Sequence, residues 1–233
     1  MTSQPELAEL LASAARLQAL VPDAVLVGGT AAAVHAHHRV SFDHDHVIED
    51  LAARYAEVVE AVEASEGWVT SVRASSPPLT LLGSLDGIEA GLRQLRRTRP
   101  LEVELHHLEG GASVRVPTLE EMLRIKAYLI VQRNAVRDYL DTVALADRLG
   151  AEAAIEVLAD IDDYYADRSG EGDSFLTALV LRLSEPAPRD VRATRQLASY
   201  KGLVPRWHDW SAVTRACAEL ADALVARREP GAD

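Results

Sequence analysis

Residues 24–48 read AVLVGGTAAAVHAHHRVSFDHDHVI, and the parsing of this stretch decides the fold. The apolar run 24–27 stops at Gly28-Gly29, as a buried strand does on entering a tight turn. Residues 30–37 are alanine-rich and read as a helix, and 43–48 read as a second strand. Side chains on a strand alternate between faces, so Asp43 and Asp45 share one face. Two neighbouring carboxylates repel unless a cation lies between them. Hard Mg²⁺, which prefers carboxylate and phosphate oxygens, is the natural solution. The paired glycines let the backbone turn sharply. The helix start behind them offers free N–H groups and a positive dipole end to a phosphate. Gly28, Gly29 and Thr30, followed by Asp43-His44-Asp45, therefore read as a metal–triphosphate site.

Upstream, Ser3-Gln4-Pro5-Glu6 has the form of a capping box, and Leu7, Leu10, Leu11, Ala14 and Leu17 recur at helical spacing. Downstream, 49–65 is an amphipathic helix pattern with Leu51, Tyr55, Val58, Val59 and Val62 on one stripe. Strands are expected at 68–73, 79–85, 88–95 (where Ile88, Leu92 and Leu95 also fit a helix) and 101–108, with Asp86-Gly87 as a hairpin turn. In the last strand Leu101, Val103 and Leu105 face one way, and Glu102, Glu104 and His106 the other. From Thr118-Leu119-Glu120-Glu121, a second capping box, the pattern is helical: 119–132, 136–149, 151–160, 174–183, 190–200 and 211–228. The expected organisation is an α/β domain over 1–115 and a helical domain over 116–233.

In helix 119–132 the apolar stripe is Leu119, Met122, Leu123, Leu129 and Ile130, and Lys126 falls at its centre. Burying an ammonium without a partner is costly, so Lys126 must reach an anion, for which a triphosphate is a candidate. Arg133, seven residues on, falls on the same stripe.

The chain has 233 residues, 48% hydrophobic and 26% charged, as in an ordinary soluble domain with a proper core. Its net charge of −12 excludes a general nucleic-acid-coating protein and leaves local basic patches open, such as Arg93, Arg96, Arg97 and Arg99. The single cysteine, Cys217, excludes an internal disulfide framework and suits a reducing cytoplasm. Glu6 and Glu9 stand where a signal peptide needs basic residues, and no apolar run reaches the ~20 residues of a membrane helix. A cytoplasmic protein without membrane contact is expected. Five histidines crowd 35–46; His37 and His38 are expected to end a helix, and His35, His44 and His46 to line a cleft mouth. Trp207 and Trp210 read as helix-packing anchors and Cys217 as a core residue.

Gly28-Gly29-Thr30, Arg39-x-Ser41-x-Asp43-x-Asp45, Lys126 and Arg137-Asp138-Tyr139-Leu140-Asp141 occur in that order. This series resembles the AbiEii/AbiGii-type nucleotidyltransferase toxins, which include MenT-like members of the polymerase-β-like superfamily. The resemblance implies an α/β (α+β) fold with a mixed sheet and helices, then a helical domain completing the nucleotide site. It implies an NTP substrate with Mg²⁺ or Mn²⁺, transfer to a tRNA or other RNA 3′ end, and a cognate antitoxin. By the same resemblance Asp43 and Asp45 hold the metal, Ser41 supports them, and Gly28, Gly29 and Thr30 cradle phosphates. Lys126 neutralises the triphosphate, Asp138 orients Lys126 or the nucleotide, Arg137 contacts it, and Glu104, or Glu102 on the same face, supplies a third metal acid. Two other readings stand beside this one. They are a small-molecule, antibiotic-type nucleotidyltransferase and a non-catalytic nucleotide-binding module on the same fold.

Overall fold

Leucines recurring every three to four residues raise helix α1 (Leu7–Leu20), whose Glu6 N–H donates to Glu9 Oε2 at 3.2 Å. The computed structural model describes residues 6–168, 170 and 174–228, so Ser3–Pro5 of the anticipated capping box lie outside the described residues. Strand β1 (Val25–Val27) runs into helix α2 (Gly28–Ala36), followed by strand β2 (Asp43–Ile48) and helix α3 (Tyr55–Glu63). Strands β3 (Trp68–Thr70), β4 (Thr80–Leu85) and β5 (Ile88–Gln94) complete a five-stranded sheet in the order β1-β2-β5-β4-β3. The pairing is mixed: β2 and β5 are parallel, and the other neighbours are antiparallel. Asp86 and Gly87 both have positive φ, 51° and 82°, the primed turn that matches the twist of a two-residue hairpin. Leu17, Ile48, Leu51, Val62, Leu85 and Leu92 are among the buried residues that join α1 and α3 to one sheet face.

Strands β6 (Val103–His107) and β7 (Ser113–Pro117) form a separate two-stranded antiparallel sheet. The pattern did not announce β7. The alternation expected for 101–108 also fails as a buried face: Leu105 is 56% exposed, and the buried side chains of this ribbon, Val114 and Val116, come from β7. The helix expected from residue 49 begins only at Tyr55, because Ala53 and Arg54 N–H close a turn on the Asp50 carbonyl.

A second compact unit comprises His35–Arg39 and the chain from Leu119 onward; the first comprises the chain to Val34 and Val40–Thr118. Its helices are α4 (Leu119–Arg133), α5 (Val136–Leu149), α6 (Ala151–Ala159), α7 (Ile161–Tyr164), α8 (Phe175–Ser184) and α9 (Trp210–Arg228). Met122, Leu123, Ile130, Tyr139, Leu145, Leu179 and Cys217 are fully buried in it. Burial pushes the Cys217 thiol up to about 12, which leaves it an inert core residue. Trp207 is buried, and Trp210 meets the Tyr139 ring edge-on at 5.9 Å, so both tryptophans pack. The α-helix expected over 190–200 is instead two short 3₁₀ helices, Val191–Arg195 and Leu197–Ser199. Leu197 is the only buried side chain there, and a stretch without an apolar stripe gains little from a longer α-helix.

Candidate functional site: two carboxylates on a central strand

Alternation along β2 separates two sets of side chains. His44, His46 and Ile48 point into the core, while Asp43, Asp45 and Val47 are half-buried on the opposite face. The register places Asp45 between Val27 of β1 and Gly91 of β5. Gly28 opens α2 with φ of 77°, and a Cβ there would stand 3.6 Å from Asp45 Oδ2. A Cβ on Gly91 would stand 2.4 Å from Asp45 Oδ1 and 2.9 Å from a Leu82 methyl, so the absence of a side chain at 91 makes the room that Asp45 occupies. Gly91 was missed from the sequence, since only the strand register reveals its neighbour.

Two hydroxyls brace the pair. Ser41 donates to Asp43 Oδ1 at 3.0 Å, and Thr30, fully buried, donates to the Asp43 main-chain carbonyl at 2.5 Å. The Thr30 hydroxyl is thus committed to the protein, which leaves its main-chain N–H for an anion. Arg93, two residues beyond Gly91, sets Nε 3.3 Å from Asp45 Oδ1. This takes Arg93 out of the basic run and gives Asp45 a cationic neighbour. Arg97 is also withdrawn, being buried and bonded to the carbonyls of Arg99 and Pro100.

Asp43 and Asp45 suit a hard divalent cation: both carboxylates are reachable from solvent, and Gly28 and Gly91 leave the space around Asp45 clear. Glu104 does not join them. It is exposed on β6, outside the five-stranded sheet, and no three His, Cys, Asp or Glu converge as a metal site among the described residues. A cavity of about 510 Å³ opens farther along the first unit, lined by Val25, Val47, Leu95, Leu101 and Val103 with Asp23, Glu49, Asp50 and Arg115. Neither Asp43 nor Asp45 lines it.

His44 and His46 correct the expectation of a cleft mouth, because both are fully buried with their rings edge to face at 5.3 Å. The His44 Nε2 lies 3.0 Å from Ser13 Oγ. Burial, opposed by the Asp43 charge, lowers the His44 pKa to about 4; burial and then His44 hold His46 well below its ordinary value. Unfolded, His44 takes up a proton near pH 6.5; folded, only near 4. Between these values the unfolded chain holds more protons, so stability falls as pH falls. The expected loss is about 3 kcal/mol at ~1.4 kcal/mol per unit. Urea midpoints between pH 7 and 4 should show it, and a His44→Leu variant should lose the His44 share of the slope while His46 keeps its own.

In the helical unit Asp141 is the hub. Arg39 holds it with two bonds, Nε to Oδ1 at 2.7 Å and Nη2 to Oδ2 at 2.9 Å. Lys126 Nζ lies 2.8 Å from Oδ2, and His38 Nε2 lies 2.7 Å from Oδ1. All four side chains are nearly or wholly buried. Burial pushes the Asp141 carboxyl up, but Lys126, Arg39 and His38 together hold it well below the usual carboxylate range. Burial lowers the Lys126 ammonium, Asp141 draws it back up, and Arg39 lowers it further. The anion that Lys126 reaches is therefore Asp141. Asp138, also buried, is instead gripped by Arg133 at 2.7 and 2.6 Å. Arg137 is exposed.

A mixed sheet thus carries two carboxylates beside a glycine-cornered helix start. The sequence profile of the AbiEii nucleotidyl transferase toxin family, of the type IV toxin–antitoxin system, matches residues 9–216, and the chain belongs to that family. The fold is similar to that of MenT4, a nucleotidyltransferase toxin of Mycobacterium tuberculosis H37Rv, with a TM-score of 0.53 and 18% identity over 89% of this chain and 81% of that one. The heme uptake protein MmpL11 of the same organism is 35% identical over 130 residues, 56% of this chain. The mycolic acid-containing lipids exporter MmpL11 of Mycolicibacterium smegmatis is 32% identical over 131 residues. The chain spans 13% of the length of these two relatives. Among the described residues, no helix is long and apolar enough to cross a membrane.

Gly91→Val is expected to lower transfer by about 10²-fold while the fold survives, since a misplacement of ~1 Å at a reacting centre costs that much. Rates beside circular dichroism spectra check this. An active Gly91→Val enzyme would remove Asp45 from the chemistry.

Proposed function

We propose that the protein is a Mg²⁺-dependent toxin that moves a nucleotidyl group from an NTP to the 3′ hydroxyl of tRNA, in the cytoplasm. The observation that carries this reading is the shared face of Asp43 and Asp45, one strand away from the helix start at Gly28. Asp43 and Asp45 hold the cation, Mg²⁺ or Mn²⁺, which supplies Lewis-acid polarisation of phosphate oxygens. The main chain of Gly28, Gly29 and Thr30 holds phosphate through N–H groups and the helix dipole. Ser41 and the space at Gly91 fix the carboxylate positions. In the helical unit buried Lys126 and Asp138 keep their own elements in place. The acceptor hydroxyl gives up its proton to solvent as its oxygen forms a bond to the α-phosphorus, the bond to the bridging oxygen breaks in line, and pyrophosphate leaves.

The test is incubation with each labelled NTP and total tRNA, with Mg²⁺ or with EDTA. Label on tRNA in Mg²⁺ alone supports the reading. The net charge of −12 favours a second one, transfer to a small cationic acceptor. Label on an aminoglycoside and none on tRNA would establish it, and no transfer from any NTP would point to a non-catalytic nucleotide-binding module.

A further inference from the structure

The basic run that stands out in the sequence, Arg93–Arg99, is partly consumed inside the first unit by Asp45 and by main-chain carbonyls. A second run, within the helical unit, is not. Residues 189–206 carry five basic residues and one acidic one, Asp190, in a chain of net charge −12. Arg206 is spent on Asp147. Arg189, Arg192 and Arg195 are exposed and make no ion pair among the described residues, and the same holds for Arg137.

The fold anchors their segment to the start of α5. Arg189 N–H donates to the Asn134 carbonyl at 2.8 Å, and the Asn134 amide donates back to the Ala187 carbonyl at 2.8 Å. Asp190 accepts from the Val136 N–H at 2.8 Å. The lone acid of the run is thereby engaged by the start of α5, and Arg189 is seated beside the first turn of that helix, which carries Arg137. The 3₁₀ helix Val191–Arg195 holds both Arg192 and Arg195. In a 3₁₀ helix residues i and i+3 eclipse, and the rise of ~2 Å per residue sets these two about 6 Å apart on one side. A row of unpaired positive charges suits a chain of repeated phosphates better than a single carboxylate.

We propose that Arg189, Arg192 and Arg195, with Arg137 at their edge, form the surface that grips the phosphate backbone of an RNA acceptor. This rests on the reading of the protein as a transferase acting on RNA. Backbone contacts of this kind hold and orient a strand without reading its sequence. The acidic remainder of the protein repels RNA elsewhere and so confines it to this patch.

The test is fluorescence anisotropy of fluorescein-labelled tRNA with the full chain, at salt from about 50 to about 200 mM. The variant R189A/R192A/R195A should bind at least about 30-fold more weakly, with a log–log salt slope shallower by roughly 2. The variant R189K/R192K/R195K should keep wild-type affinity within about threefold, since a phosphate contact needs charge more than shape. The Asp43→Ala protein should bind as wild type does. Equal binding by the alanine variant, or no tRNA binding by wild type at low salt, overturns the proposal, as does equal displacement of tRNA by polyglutamate. Binding that depends on the arginines in a wild type that transfers nothing to tRNA leaves the surface standing and removes the acceptor assignment instead.

Discussion

Asp43→Ala abolishes nucleotidyl transfer, with an expected loss of at least about 10³-fold, while the melting transition stays close to wild type. The size follows from several kcal/mol of charge stabilisation that a metal supplies at a phosphoryl centre, each ~1.4 kcal/mol being tenfold in rate. The fold should survive because Asp43 is half-buried on the face of β2 away from the core, and Ser41 is the side chain that donates to its carboxylate among the described residues. The Thr30 hydroxyl bonds the Asp43 main chain, which alanine retains. Asp45→Ala should match it in rate, and it also frees Arg93. Rates in Mg²⁺ with circular dichroism melts decide the matter. A transfer rate within tenfold of wild type for Asp43→Ala would remove the metal assignment.

Asp141→Ala is the most destabilising single change expected here, at about 3–5 kcal/mol, because it strands buried cations without their counter-ion. Lys126, Arg39 and His38 all converge on this one carboxylate. Lys126→Met should cost distinctly less, since Asp141 keeps Arg39 and His38. The order of the two variants in urea titration is the discriminating result. Equal costs would mean that the cluster is hydrated in solution and not the buried hub described above.

The legible parts of the fold share one property: their signal is local and periodic. The strand–glycine–helix passage over 24–36, strand 43–48, the Asp86-Gly87 hairpin and helix 136–149 all follow from patterns within a few residues. The shared face of Asp43 and Asp45 is of the same kind. So was the burial of His44 and His46, since the alternation that turns the aspartates out turns the histidines in, yet their polarity suggested an exposed strand. The missed elements depend on distant partners. Strand β7 exists because β6 pairs with it, and 189–199 is held by Asn134 and Val136 instead of by its own helix stripe.

Sequence by itself determined that an ammonium at the centre of an apolar stripe must meet an anion, because burial without one is too costly. It could not determine which anion. Asp138 and Asp141 are three residues apart, adjacent on one side of a helix, and periodicity does not choose between them. Tertiary packing chose: it brought Arg39 and Lys126 to Asp141 and Arg133 to Asp138. The same holds for the metal face. Two aspartates on alternate positions could be read from the chain, but the glycine that makes room for Asp45 lies 46 positions away and becomes its neighbour only through the parallel register of β2 and β5. Alternation and stripe are properties of a few consecutive residues, whereas counter-ion choice and steric clearance are properties of packing.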